Sequence, residues 1–335
     1  MQEKIIELPR SRRKSVFDRG VPIFAARLSF LVSILIAGFT IFLGWLEGSL
    51  FYKANGLIAL TDIVNSAVLL TAVAHSEREP DTFFNYGYGK YESFAIFVSS
   101  SLITIVTIYT IYEAIISFGG GFVPIGYYFY LIIFSFFSFF LMWQMHRILM
   151  SYWRRFQLPI LRYDAELWKF DAYIELGVIL NLTFCVLLDK LNLPQEARFL
   201  DSISALVFVA FAMRIPIKFG KKSIDQLLDR TLPEQFHYDI LSVIAENFRF
   251  LCEFRNIYAR QSGKDIFVEI DIVLPFDFTL EEAYEIEKQI VSKIKEMYPT
   301  SIPRVYVTPC SRDCIFDGGD KCPVRKWKKE RGVQS

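Results

Sequence analysis

Over the first two thirds of the chain, long apolar stretches alternate with short charged connections; beyond that the pattern becomes a closer alternation of apolar and charged residues. Six stretches, at 25–46, 56–75, 91–118, 127–149, 167–188 and 199–217, reach the roughly 20 residues a helix needs to cross the hydrocarbon core of a bilayer. The second, third and fifth contain polar residues, which places them toward the inside of a bundle. Residues 218–331 are enough for one small soluble domain. Within it 266–274, IFVEIDIVL, alternates apolar and charged positions as a half-buried strand does. Thr279 opens a helix: its hydroxyl caps the first turn, Glu282 completes a capping box, and Ile286, Ile290, Ile294 and Met297 continue an apolar stripe. Residues 304–308 read as another strand, 234–250 as an earlier helix and 256–261 as a short strand. The order helix, strand, strand, helix, strand predicts a compact α+β sandwich.

Composition agrees with a membrane domain followed by a soluble one. Of 335 residues, 53% are hydrophobic and 33 are Phe, too apolar for an ordinary soluble chain. Net charge is only +1, so the placement of charge is more informative than its sum. Arg10, Arg12, Arg13, Lys14 and Arg19 precede the first stretch, and Arg147, Arg154, Arg155 and Arg162 lie between the fourth and fifth. By the positive-inside rule those segments are cytoplasmic. The connections at 45–55, 119–126 and 189–198 carry fewer basic residues, and six crossings return the tail to the same side, so both termini are expected in the cytoplasm. The basic arm, 1–24, serves topology and attraction to anionic lipid rather than nucleic acid. It lacks the continuous apolar core of a signal peptide, so insertion is expected through the first span, into a plasma or cell inner membrane.

Two aspartates, Asp62 and Asp171, stand inside otherwise apolar stretches. A carboxylate at membrane depth is costly unless protonated, paired or bound to a cation, and so marks a cation path. The plain alternative is a structural pair, with Lys169 near Asp171 in sequence but on the far side of a helical wheel. Asn65 and Ser66 follow Asp62 by three and four residues, and Glu175 follows Asp171 by four, all within a turn on adjoining faces. They are candidate ligands, or helix-packing polar residues of the kind bundles often contain. Carboxylates that release protons when a cation arrives would also couple its movement to protons. In the tail, 310–335, Cys310, Cys314 and Cys322 lie among Asp313, Asp317 and Asp320, and could wrap one Zn(II) or Fe(II) or be thiols that merely lie close together. Cys185 and Cys252 read as buried small residues. His75, His146 and His237 are scattered and suggest no site, and nowhere do a nucleophile, a base and an orienting group converge as in an enzyme.

The segment Phe84-Asn85-Tyr86-Gly87-Tyr88-Gly89-Lys90-Tyr91-Glu92 resembles the Gly-His-Gly-Lys-x-Glu signature of the cation diffusion facilitators, with Gly87, Gly89, Lys90 and Glu92 matching and Tyr88 in the histidine's place. Gly48-Ser49-Leu50 through Asp62, then Asp201 and Leu227-Leu228-Asp229, also stand where members of that family have similar residues. The resemblance implies a six-helix transmembrane bundle, 25–217, followed by a small cytoplasmic α+β dimerisation domain of the ferredoxin-like, metallochaperone-like kind, 218–309. It implies a homodimer that exchanges a divalent metal such as Zn, Mn, Fe, Co or Cd for protons, with no prosthetic group. The family's transport site is usually four side chains, an i and i+4 pair from each of the second and fifth spans. Here those pairs are Ile58 with Asp62 and Leu167 with Asp171, so half the ligands are missing. An oxygen-only set of Asp62, Asn65, Asp171 and Glu175 would suit Mn(II), Fe(II) or Mg(II) better than a histidine-built zinc site. Tyr284 and Tyr306 replace histidines at the family's cytoplasmic metal positions. Two readings follow: a proton-coupled metal exporter with an atypical carboxylate site, and a non-transporting relative that keeps the scaffold as a metal-responsive or partner-binding subunit.

Overall fold

The structure is a computed structural model that describes residues 16–47, 50–117, 128–191, 207, 211 and 213–310. It divides into two compact units, Met1–Ile224 and Asp225–Ser335.

The first unit is built of long helices: α1 (Val16–Glu47), α2 (Leu50–Ser76), α3 (Lys90–Ser117), α4 (Tyr128–Phe156) and α5 (Pro159–Lys190), with α6 beginning at Arg214 (Arg214–Leu227). Among the described residues four helical stretches are long and apolar enough to cross a membrane, Pro22–Phe42, Lys90–Tyr109, Ile132–Phe156 and Pro159–Leu188, with a shorter apolar stretch at Leu60–Ser76 in α2. The expected sixth span, 199–217, falls largely outside the described residues. The helices divide their residues as a bilayer requires. Phe39, Ile105, Ile116, Phe140 and Phe184 are exposed on the outside, where hydrocarbon rather than water would meet them. Inside, small residues such as Ala25, Ala26, Ala72 and Ala165 are buried beside Leu149, Leu161 and Tyr163, and let the backbones approach closely. Buried Ser29, Ser33, Ser99, Ser100 and Ser138 show that the polar positions do turn inward.

The second unit follows the predicted order: α7 (Glu234–Glu246), a short 3-10 turn (Phe248–Phe250), β1 (Glu253–Ser262), β2 (Asp265–Leu274), α8 (Leu280–Met297) and β3 (Ser301–Pro309). β1 and β2 form an antiparallel hairpin whose two-residue turn starts at Gly263, with the positive φ of 59° that such a turn asks of its first central residue. α8 then returns the chain so that β3 runs parallel to β2, giving a three-stranded sheet in the order β1-β2-β3. Val268, Ile270 and Ile272 of β2 meet Phe236, Ile240 and Ile244 of α7 and Ile286, Ile290 and Ile294 of α8 in one core. Both halves of the Thr279–Glu282 capping box are present. The Tyr298 hydroxyl, just past α8, donates to Asp239 of α7 and ties the two helices together. That bond holds the Asp239 carboxyl below the usual range and pushes the Tyr298 phenol up to about 12.

Three expectations need correction here. Met297 is 43% exposed, so the apolar stripe of α8 ends at Ile294, a full turn earlier. Cys252 is exposed rather than buried, because it stands in the bend between the 3-10 turn and β1. The first helix of this unit ends at Glu246 rather than 250, where Asn247 caps it and its side-chain Nδ2 donates back to the Val243 carbonyl.

Candidate metal pathway in the transmembrane unit

α2 and α5 each turn an aspartate toward the same space. Asp62 and Asp171 line a cavity of about 110 Å³, together with Ser33 of α1, Asn65 and Ser66 of α2, and Asp164 of α5. Ile103, Met142 and Ile215 close its apolar sides from α3, α4 and α6. Asp62 is exposed and Asp171 is half-buried. Leu167 also lines the cavity, one turn before Asp171, where the resemblance implies a further ligand. The Ile58 side chain lies outside the described residues.

A chain of hydroxyls holds the α2 wall in place. Ser99 of α3 donates to Asn65 Oδ1, Tyr163 of α5 lies 2.8 Å from the same Ser99 hydroxyl, and Ser100 donates to Tyr163 at 3.2 Å. One hydroxyl carries one proton, so Ser99 spends its proton on Asn65 and must accept from Tyr163. The direction runs Ser100 to Tyr163 to Ser99 to Asn65, across α3, α5 and α2. Asn65 is only 6% exposed, and its carbonyl oxygen is already an acceptor in this chain. His146 of α4 similarly fixes α5 by donating Nδ1–H to the Ala165 carbonyl at 2.8 Å.

The other candidates separate. Ser66 is buried at the cavity wall. Glu175 is absent from the cavity lining; it accepts a hydrogen bond from Ser135 of α4 instead. Lys169 lies over the Tyr173 ring, 5.9 Å from its centroid. Among the described residues no three His, Cys, Asp or Glu side chains gather closely enough to hold a metal ion. Cys314 and Cys322 lie outside the described residues, and Cys310 donates its N–H to the Leu274 carbonyl at 2.8 Å where β3 ends.

Asp164 is the residue that sequence reasoning missed. It is 5% exposed and hydrogen-bonded to Ser29 of α1 and Trp168, while Trp168 Nε1–H donates to the same Ser29 at 2.8 Å. Asp164 precedes Asp171 by two turns and shares its face. A fifth stretch drawn from 167 stops short of it; extending the helix to its real start at Pro159 exposes the signal.

The signature segment between α2 and α3 is ordered by its own hydrogen bonds and by one to α5. Gly87 has a φ of +80°, a conformation side chains disfavour. Asp81 Oδ1 accepts from the Phe83 and Phe84 amides at 2.9 and 2.8 Å, and its Oδ2 accepts from the Tyr88 hydroxyl at 2.6 Å. Glu92 is 1% exposed and accepts from the Ile160 amide at 3.3 Å, capping the first turn of α5. The third and fifth spans are thus joined where the fifth begins. The Tyr88 hydroxyl, aided by the Phe84 amide, holds the Asp81 carboxyl below its ordinary value. A carboxyl depressed in the folded state stabilises fully above its unfolded pKa of about 3.9, and that stabilisation is lost as pH falls through the folded value. The protection of the Phe83 and Phe84 amides against exchange, relative to the intrinsic rate at each pH, is therefore expected to fall below about pH 4. The acid step should vanish in Asp81→Asn; the same step in that variant would show that another group causes it.

Apolar helices around a carboxylate-lined cavity, followed by a small α+β unit, define a multi-pass membrane carrier of cations. The chain belongs to the cation efflux family, the cation diffusion facilitators, whose members are transporters and not enzymes: residues 26–228 match the family's transmembrane domain and residues 232–307 its cytoplasmic domain. It is similar to the manganese efflux system protein MneP of Bacillus subtilis, 20% identical over 278 residues that cover 82% of this chain and 91% of that one. It is also similar to the cation-efflux pump FieF of Salmonella typhi, 24% identical over 276 residues, 81% of this chain and 87% of the relative.

Proposed function

We propose that the chain exports a divalent transition-metal ion in exchange for protons, as a homodimer, through a site founded on Asp62 and Asp171. The observation that carries this reading is that aspartates from two different helices line one cavity at apolar depth. Two carboxylates opposite one another are a costly arrangement unless a cation or protons occupy the space between them. Ser66 stands on the same wall and offers a further oxygen, and Asn65 is held beside it by Ser99. Glu175, turned to Ser135, stays outside this set. An all-oxygen site suits Mn(II) or Fe(II) ahead of Zn(II), in keeping with a relative named for manganese efflux. Proton exchange follows from the ligand chemistry, since each carboxylate must be deprotonated to bind the ion. The arrangement of charge favours cytoplasmic termini in a plasma or inner membrane, and the tail cysteines Cys310, Cys314 and Cys322 form a proposed Zn or Fe clip separate from the transport path.

The second reading, a scaffold that has lost transport, draws on Leu167 in the cavity wall and on two aspartates without a third clustered ligand. Proteoliposomes loaded with a metal-sensitive dye separate the two. The exporter reading expects Mn(II) or Fe(II) to move with a counterflow of protons, and Zn(II) to move more slowly. No movement of any of these ions leaves only the scaffold, and equal rates for zinc and manganese sink the all-oxygen selectivity.

A further inference from the structure

The polar chemistry that transport leaves unused gathers at the basic end of the transmembrane unit, where α6 lies against the start of α5. The Phe219 ring of α6 packs on Tyr163 of α5 with centroids 5.2 Å apart. Gly220 comes close to α3: a Cβ there would stand 3.2 Å from the Ser100 Cβ. These contacts fix which side chains flank them. Arg162 adjoins Tyr163, and Lys218 and Lys222, four residues apart on one side of α6, flank Phe219. All three residues are exposed. The Lys222 amine is pushed down, first by burial of the side chain and then by the nearby Arg162 and Lys218.

Nothing described neutralises this cluster. Glu166, four residues after Arg162, makes no ion pair with it, and Asp225, three after Lys222, is occupied by Arg230 at 3.0 and 3.1 Å. Like charges held together on two packed helices cost free energy unless an anion sits among them. The Arg162 guanidinium lies over Trp153 of α4, 4.8 Å from the ring centroid. An amphipathic tryptophan carrying a cation is the arrangement found at the level of lipid headgroups.

We infer that Arg162, Lys218 and Lys222 bind the phosphodiester of an anionic phospholipid, beside Trp153, at the junction of α4, α5 and α6. Arginine offers its planar fork to two phosphate oxygens and the lysines add point charge. A lipid, rather than a soluble phosphate, fits because the cations ring the end of apolar spans whose outer surfaces already require acyl chains. Lipid bound here would brace α6 against α5 close to the cavity wall at Ile215. The inference stands apart from the transport reading, since a scaffold without transport would hold the same lipid.

The test is native mass spectrometry of the full-length protein in detergent with equal amounts of phosphatidylglycerol and phosphatidylcholine. The parent is expected to retain phosphatidylglycerol in preference. That preference should fall about fivefold for each cation removed in Arg162→Gln, Lys218→Gln and Lys222→Gln, singly and together. Lys221→Gln, on the adjoining side of α6, should leave it unchanged. Because the reading is a ratio within the folded population, the single variants decide the matter if the triple variant does not fold. Equal retention of both lipids by the parent overturns the inference, as does an undiminished preference in the variants. Complete displacement of phosphatidylglycerol by millimolar inorganic phosphate would assign the cluster to a soluble anion instead.

Discussion

Asp171→Asn is expected to lower the initial rate of metal transport about a hundredfold while leaving the helix bundle folded. Asparagine has the shape of aspartate and keeps one oxygen, so the change removes charge and little else. Taking away one of two carboxylates that share an ion at apolar depth is expected to cost about 3 kcal/mol, and each 1.4 kcal/mol is tenfold. Asp62→Asn should lose a comparable amount, because both carboxylates line the same cavity. The double variant should be scarcely worse than either single one, since residues acting on one ion are not additive. Glu175→Gln is the informative contrast. Its carboxylate is engaged by Ser135 and is absent from the cavity lining, so the rate should stay within a few-fold of the parent. Dye-quenching rates in proteoliposomes, with folding checked by gel filtration, decide among these outcomes. Full activity in Asp171→Asn would remove that residue from the path, and a hundredfold loss in Glu175→Gln would return the site to a wider ligand set.

The second large effect is expected in the soluble unit. Ile290→Ala should destabilise it by about 3 kcal/mol, because Ile290 is 0% exposed at the centre of the core that joins α7, β2 and α8. Domains of this size hold only about 5–15 kcal/mol in all, so much of the margin disappears. With two units in one chain, a single melting temperature is a poor measure. Hydrogen exchange of β2 and α8 peptides in the full-length protein is better, and should quicken about a hundredfold. Met297→Ala on the same helix should change it hardly at all, since a 43% exposed side chain contributes little packing. Similar costs for the two variants would mean that the far end of α8 is covered in the working protein.

That contrast shows what periodicity can and cannot say. Ile286, Ile290 and Ile294 fall on one face of α8 because residues four apart must do so, and the Thr279–Glu282 box forms because its partners lie within one turn. Both are local consequences. Met297, three residues past Ile294, continues the same side of the helix, yet it is 43% exposed. Asp62 and Asp171 were legible for a different reason: a charge in an apolar stretch stands out whatever surrounds it. Glu175 stood out equally, but a carboxylate's spacing on its own helix does not reveal that Ser135 of α4 will meet it. Asn65 likewise shares a turn with Asp62, but the hydroxyl that donates to its oxygen comes from Ser99 on α3, which spacing along α2 does not reveal. Glu92 belonged to a recognisable signature whose work was not legible, since its partner, the Ile160 amide, lies 68 positions away.

By itself, then, the amino-acid sequence determined the apolar helices of the first unit, the order of the α+β unit and the two aspartates that come to line one cavity, because hydropathy, capping and the cost of a buried charge act over one or two turns. The tertiary structure alone decided which polar groups face the cavity, that Asp164 joins Asp62 and Asp171 there, and that Glu175 meets Ser135 and Glu92 the Ile160 amide. Those outcomes depend on which helix packs against which, and the pairing is set by contacts between residues far apart along the chain.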